Sequence, residues 1–168
     1  MYKDFTSGLR ISLSIASIVL LLDQLVKLLI ENNFSVWSKH VVIPGFFNLV
    51  YVLNKGAAFG ILNQEDINWQ TNFFIAVSLL AILVIVYLLY SVKERDNLFL
   101  LGLGAIWGGA LGNLIDRIRL GMVIDYLDFY IGSFHWPAFN IADTAISLGA
   151  ISIIISFIQR ESNASNTN

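Results

Sequence analysis

Cysteine is absent from this 168-residue chain, which excludes disulfides, thiolate metal sites and a thiol nucleophile. Histidine is almost absent, and with only His40 and His135 to offer imidazole the sequence argues against zinc chemistry. Charge is also scarce: 13% of residues are charged, where soluble domains carry about 25%. The net charge of −2 leaves no basic stripe for phosphates, so a nucleic-acid partner is set aside. What fills the chain instead is apolar: 57% of residues are hydrophobic and the mean hydropathy is +0.71. This composition belongs to a membrane protein.

Four stretches are long enough to cross a hydrocarbon core of about 30 Å, which takes roughly 20 helical residues. They run from about Leu9 to Ile30, Thr71 to Val92, Asn97 to Ile115 and Phe139 to Ile158. The expected fold is an all-α membrane protein, a single four-transmembrane-helix bundle over residues 1–160. Its first run leads into "DQLVK" without a small-residue cleavage site, so it reads as a retained anchor. "KERDN" leaves room only for a tight hairpin between the second and third spans. The connections 31–70 and 116–138 are longer, and "FFNLVYVL" in the first suggests a strand. A small extracytoplasmic β-containing platform is therefore expected between helices 1 and 2, with residues 161–168 as a disordered cytoplasmic tail. Four spans put both termini on one face, together with Lys3, Arg10, Lys93, Arg95 and Arg160, against Lys39, Lys55, Arg117 and Arg119 opposite. If Lys55 and Arg117 belong to a site, the count becomes five against two and places both termini in the cytoplasm.

Polar groups within the apolar runs point to function. Asp23 and Lys27, four residues apart, share a helical face and can pair, which offsets the roughly 2.5–3.5 kcal/mol that a lone buried carboxylate costs. The third span carries Gly104, Gly108 and Gly112, a spacing that lets helices approach closely. Asn113 and Arg117 lie along one face of it as donors turned towards a site, whereas Asp116 points about 100° away and reads as a solvated helix end. "GMVIDYLDFYIG" then brings Asp125 and Asp128, and the fourth apolar run opens on Asp143. Such an acid cluster admits a divalent-metal site, a proton-carrying transport site, or a pair of carboxylates that activate water.

Five stretches in order, "DQLVK", "NKGAAFG", "GGALGNLIDR", "VIDYLD" and "FNIAD", resemble the lipoprotein signal peptidases, bacterial intramembrane aspartyl proteases. The resemblance implies that Asp125 and Asp143 are the catalytic pair. It implies a substrate-facing surround of Asn54, Asn113, Arg117 and Asn140, with Asp23, Lys27, Gly56 and Asp128 in support. It further implies a prolipoprotein substrate whose signal-peptide cysteine already carries a diacylglyceryl group, cut before that cysteine at the outer side of the cytoplasmic membrane. No cofactor, metal or obligate protein partner is expected beyond membrane lipid. Chemically, hydrolysis needs a base for the water and an acid for the leaving amine, and two carboxylates sharing one proton supply both. Like charges about 4 Å apart repel by roughly 4 kcal/mol at an effective dielectric of about 20, so the pair retains a proton. The alternative function is a proton-coupled transporter using the same aspartates.

Overall fold

In a computed structural model, the structure describes residues 2–56, 69–92 and 96–165, with side chains from Phe5 onward. Four helices carry the architecture: α1 (Tyr2–Asn33), α2 (Gln70–Ser91), α3 (Asn97–Leu120) and α4 (Ile141–Ser165). All four are long and apolar enough to cross a membrane. Four strands, β1 (Lys39–Ile43), β2 (Phe47–Asn54), β3 (Val123–Ile131) and β4 (Phe134–His135), form one antiparallel sheet in the order β1-β2-β3-β4.

The sheet corrects one expectation. The platform is not confined to the connection between helices 1 and 2, because half of it comes from the connection between α3 and α4. "VIDYLDFYI" supplies β-branched and aromatic residues suited to a pleated surface, and β2 gives it an edge to pair with. Val52 stands opposite Asp125 and Asn54 opposite Val123 in that ladder. Strand pairing thus brings the end of "FFNLVYVLN" beside the first of the two aspartates.

Helix boundaries differ from expectation where charge was taken as an end. Helix α3 runs past Ile115 to Leu120, and Gly121, at φ 73°, closes it by donating its N–H to the Arg117 carbonyl. A left-handed residue is needed there, and glycine adopts it without steric penalty. Helix α4 continues through Ser165, so residues 161–165 are helical rather than disordered. The Ser165 hydroxyl donates back to the Glu161 carbonyl at 2.7 Å, a local bond that needs no apolar partner. The "KER" of the expected hairpin lies outside the described residues.

Helix α3 is the axis of the bundle, with 61% of its most apolar stretch buried inside the protein against 22%, 22% and 28% for α1, α2 and α4. Leu21, Leu83, Ile118 and Ile158 point outward from the bundle and are mostly exposed, as lipid-facing side chains should be. Inside, the Ser12 hydroxyl donates to the Leu100 carbonyl at 3.0 Å, and Glu31 pairs with Arg119 at 2.8 Å, so α1 and α3 run parallel. Asp96 caps α3 through the Phe99 N–H at 2.7 Å and takes Arg160 of α4 at 2.9 Å, so α3 and α4 run antiparallel. The sheet sits at the end where α1 and α3 finish and α4 begins.

The expected close approach along α3 is present. A Cβ added at Gly109 would lie 2.5 Å from the backbone carbonyl oxygen of Ala142, and no side-chain rotation relieves a clash with backbone. In an exposed helix Gly→Ala stabilises by about 1 kcal/mol. Here the sign inverts. Gly109→Ala is expected to lower the thermal midpoint in detergent, on the scale of about 1–3 kcal/mol for overpacking.

Candidate active site

The site lies where α3 ends, α4 begins and β3 crosses between them. Asp125 on β3 and Asp143 in the first turn of α4 are both buried, at 1% and 5% exposure. Asn140, immediately before α4, touches both: its Nδ2 donates to Asp125 Oδ1 at 2.7 Å, and its Oδ1 accepts the Asp143 backbone N–H at 2.9 Å. The second bond is an N-cap, with the side-chain oxygen satisfying a donor that the first helical turn leaves free. One residue therefore starts the helix that presents Asp143 and holds the strand that presents Asp125.

Each carboxylate has a second amide partner. Asn54 at the end of β2 donates from Nδ2 to Asp125 Oδ2 at 3.0 Å, while its Oδ1 accepts the Gly56 N–H at 2.8 Å. Asn113 on α3 donates from Nδ2 to Asp143 Oδ1 at 2.8 Å, and its Oδ1 accepts from the Lys27 ammonium at 3.0 Å. Lys27 in turn meets Asp23 at 2.8 Å within its own helix and Asp116 of α3 at 2.8 Å. Asp23 also accepts the Ala142 N–H of α4 at 3.0 Å, and Asp116 the Ile124 N–H of β3 at 3.2 Å. These buried charges tie α1, α3, α4 and β3 together.

The expected residues Asn54, Gly56, Asp23, Lys27, Asn113, Arg117, Asn140, Asp125 and Asp143 thus meet in one network. Ala57–Gly60 of "NKGAAFG" lie outside the described residues. Asp128 stands apart: it accepts from Asn48 at 2.7 Å and pairs with His135 at 2.8 Å, within the sheet. Asp116 is a correction, fully buried rather than a solvated helix end. It does point away from Arg117, but α1 covers that side of α3. Gln24, bonded to Asp116 Oδ1 and the Gly112 carbonyl at 3.2 Å, escaped sequence reasoning too, although its place beside Asp23 in "DQLVK" was a usable signal. Tyr126, whose hydroxyl accepts the Ile141 N–H at 3.1 Å, could have been found only by its place next to Asp125.

A cavity of about 250 Å³ opens between α2, α3 and α4, lined by Phe74, Val77, Ala110, Asn113, Arg117 and Asp143 among others. The Arg117 guanidinium lies 5.0 Å from the Phe74 ring centroid and donates to the carbonyls of Gly56 at 2.9 Å and Asn113 at 3.3 Å. Its buried Nε has no acceptor among the described residues, which leaves a donor beside Asp143 for a bound group. Burial first, and then the negative charge of Asp143, push the Asp125 carboxyl up to about 8. Two carboxyls so placed keep one proton between them at neutral pH, the condition for combined acid and base chemistry.

The family described as signal peptidase (SPase) II matches residues 15–159. A lipoprotein signal peptidase of Maridesulfovibrio salexigens is 51% identical over 161 residues, covering 96% of this chain and all of the relative. One from Syntrophus aciditrophicus is 45% identical over 150 residues, or 89% of this chain and 93% of the relative. A solved structure described as a bacterial membrane enzyme, obtained by the in meso method at 2.3 Å resolution, superposes with a TM-score of 0.79 at 33% identity, covering 90% of both chains. With the motif stretches in order, the four-helix scaffold shared and the match running through both buried aspartates, the chain belongs to the signal peptidase II family.

Proposed function

We propose that this chain is an aspartic-type endopeptidase that removes the signal peptide from diacylglyceryl-modified prolipoproteins, with Asp125 and Asp143 as its catalytic pair. Prolipoprotein signal-peptide cleavage at the inner membrane follows from family membership at 45–51% identity over most of the chain. The transporter alternative finds no support among these relatives, which are named as peptidases. The observation that carries the aspartic mechanism is the pair itself: two buried carboxyls from separate elements, held by the shared Asn140 beside a cavity.

In the mechanism, the ionised carboxyl takes a proton from water as its oxygen attacks the scissile carbonyl. The protonated carboxyl delivers its proton to the departing nitrogen. Arg117 Nε supplies a donor for a substrate carbonyl or the developing oxyanion. A cavity of about 250 Å³ holds a short peptide segment, since about 150 Å³ suffices for benzene. It is too small for two long acyl chains, which remain in the bilayer. The charge count puts both termini in the cytoplasm, and the sheet end, with the site, at the outer surface.

The test is cleavage of a diacylglyceryl-modified peptide by purified protein in bilayers. One product should appear, beginning at the modified cysteine, at a rate unchanged by EDTA. Equal cleavage of the unmodified peptide overturns the substrate assignment, and loss of activity in EDTA overturns the aspartic class.

A further inference from the structure

We infer, resting on the catalytic pair proposed above, that Asp116 is a positioning residue, the second arm of a brace whose first arm is Asp23 and whose centre is Lys27. Each arm holds the backbone N–H one residue ahead of a catalytic aspartate, and together the arms fix the spacing of the pair. Asp23 Oδ1 accepts from Ala142, the neighbour of Asp143, at 3.0 Å. Asp116 Oδ2 accepts from Ile124, the neighbour of Asp125, at 3.2 Å.

The arms come from different helices and converge on one cation. Asp23 lies on α1, one turn before Lys27, and Asp116 lies in the last turns of α3. The Lys27 ammonium meets Oδ2 of each at 2.8 Å. Its third hydrogen goes to Asn113 Oδ1 at 3.0 Å, so every donor of the ammonium is used inside the protein. All three charged side chains are fully buried, an arrangement that is stable only when each charge is paired and hydrogen-bonded. Gln24 ties the arms from the side, with its Nε2 3.2 Å from Asp116 Oδ1 and 3.3 Å from Asp23 Oδ2.

Both backbone donors need such a partner. The first-turn N–H groups of a helix have no acceptor within the helix. In α4, Ile141 uses the Tyr126 hydroxyl, Asp143 uses Asn140 and Ala142 uses Asp23, whose negative charge also suits the positive end of the helix dipole. Ile124 is fully buried, so its N–H has no water to turn to and Asp116 supplies the acceptor. The path of the Asp23 arm is built into α3. A Cβ added at Gly112 would lie 2.5 Å from Asp23 Oδ2 and 3.4 Å from the Ala142 Cβ, so the missing side chain is the space through which Asp23 reaches α4.

The brace lies where α1 covers α3, whereas the cavity opens between α2, α3 and α4 and is lined by none of Asp23, Lys27 and Asp116. Its residues therefore act on the reaction through the two carboxyls and not through contact with substrate. Reacting groups tolerate little displacement, and about 1 Å of misplacement costs about 10²-fold in rate. Loss of an arm falls on kcat and spares KM.

Asp116→Asn and Asp116→Ala separate the acceptor from the charge. Both remove the negative charge beside Lys27, but asparagine keeps an oxygen for the Ile124 N–H and alanine does not. Cleavage of lipidated peptide, with each enzyme assayed below its own thermal midpoint, should show Asp116→Asn with kcat near wild type and Asp116→Ala lower by about 10²-fold with KM unchanged. Asp23→Asn and Asp23→Ala should repeat the pattern on the α4 arm. Gly112→Ala, which keeps every polar group but crowds the Asp23 arm, should lower kcat at unchanged KM, and supplies the reading where an alanine variant does not fold. A brace that serves stability alone lowers the midpoint and leaves kcat of the folded enzyme intact. That result overturns the inference, as do equal losses in the asparagine and alanine variants or a loss carried by KM. The catalytic pair is judged separately: if Asp125→Asn or Asp143→Asn enzyme stays active the pair falls, and if both are inactive while Asp116→Ala and Asp23→Ala match wild type, only the brace falls.

Discussion

Asp125→Asn and Asp143→Asn enzymes are each expected to cleave lipidated peptide at least about 10³-fold more slowly than wild type, with the loss in kcat rather than KM. Positioned general acids and bases contribute typically 10²–10⁴-fold, and here one proton serves both roles. Residues that act as a unit are not additive, so the double variant should be about as slow as either single one. Rates of the three variants at saturating substrate check this, and a double variant whose loss equals the product of the two single losses contradicts a shared proton. The pH profile follows from the same pair. With burial and the charge of Asp143 holding the Asp125 carboxyl up to about 8, the dyad keeps its proton through neutrality and loses it as pH rises through that value. Cleavage should therefore decline on the alkaline side of about 8. Stability carries the matching sign: a carboxyl raised above its unfolded value binds its proton more tightly when folded, so the resting enzyme loses stability as pH climbs from about 4 to about 8 and levels off beyond.

Lys27→Met should be the most damaging single change outside the dyad. It leaves Asp23 and Asp116, both fully buried, without their common cation. Breaking a buried pair by removing one partner costs about 3–5 kcal/mol, which for a chain of this size corresponds to a drop of roughly 6–20 °C in thermal midpoint. Because Lys27 also pins Asn113, activity should fall even at temperatures where the variant is folded. The electrostatic cause has its own check, since adding Asp23→Asn and Asp116→Asn removes the stranded charges and should restore most of the stability but not the activity. Restored activity in that triple variant contradicts the role given to Lys27 in holding Asn113.

Several parts of the site are legible in the sequence alone. The four apolar runs are local in sequence, and the helices fall on them because length and hydropathy are enough to define a crossing. Asp23 and Lys27 could be paired from a spacing of four, which geometry alone turns into a 2.8 Å contact. The small residues of α3 announced close approach, and the backbone of α4 does lie against Gly109. Asp125 and Asp143 stood out as carboxyls in apolar surroundings. Asp116 was misjudged by the same local logic, since its angle from Arg117 says where it points and nothing about what covers it.

The sequence by itself determined the number of spans, the buried acids and the packed faces, because helical period, hydropathy and the cost of charge in lipid act over a few residues. Only the tertiary structure decided that β3 joins β2, that Lys27 serves two carboxylates on different helices, and which way each asparagine faces. Those outcomes depend on partners far apart in the chain: Asn54 meets Asp125 across 71 positions and Lys27 meets Asn113 across 86. No local pattern encodes such a meeting. It is selected by the packing that brings these buried donors to their acceptors.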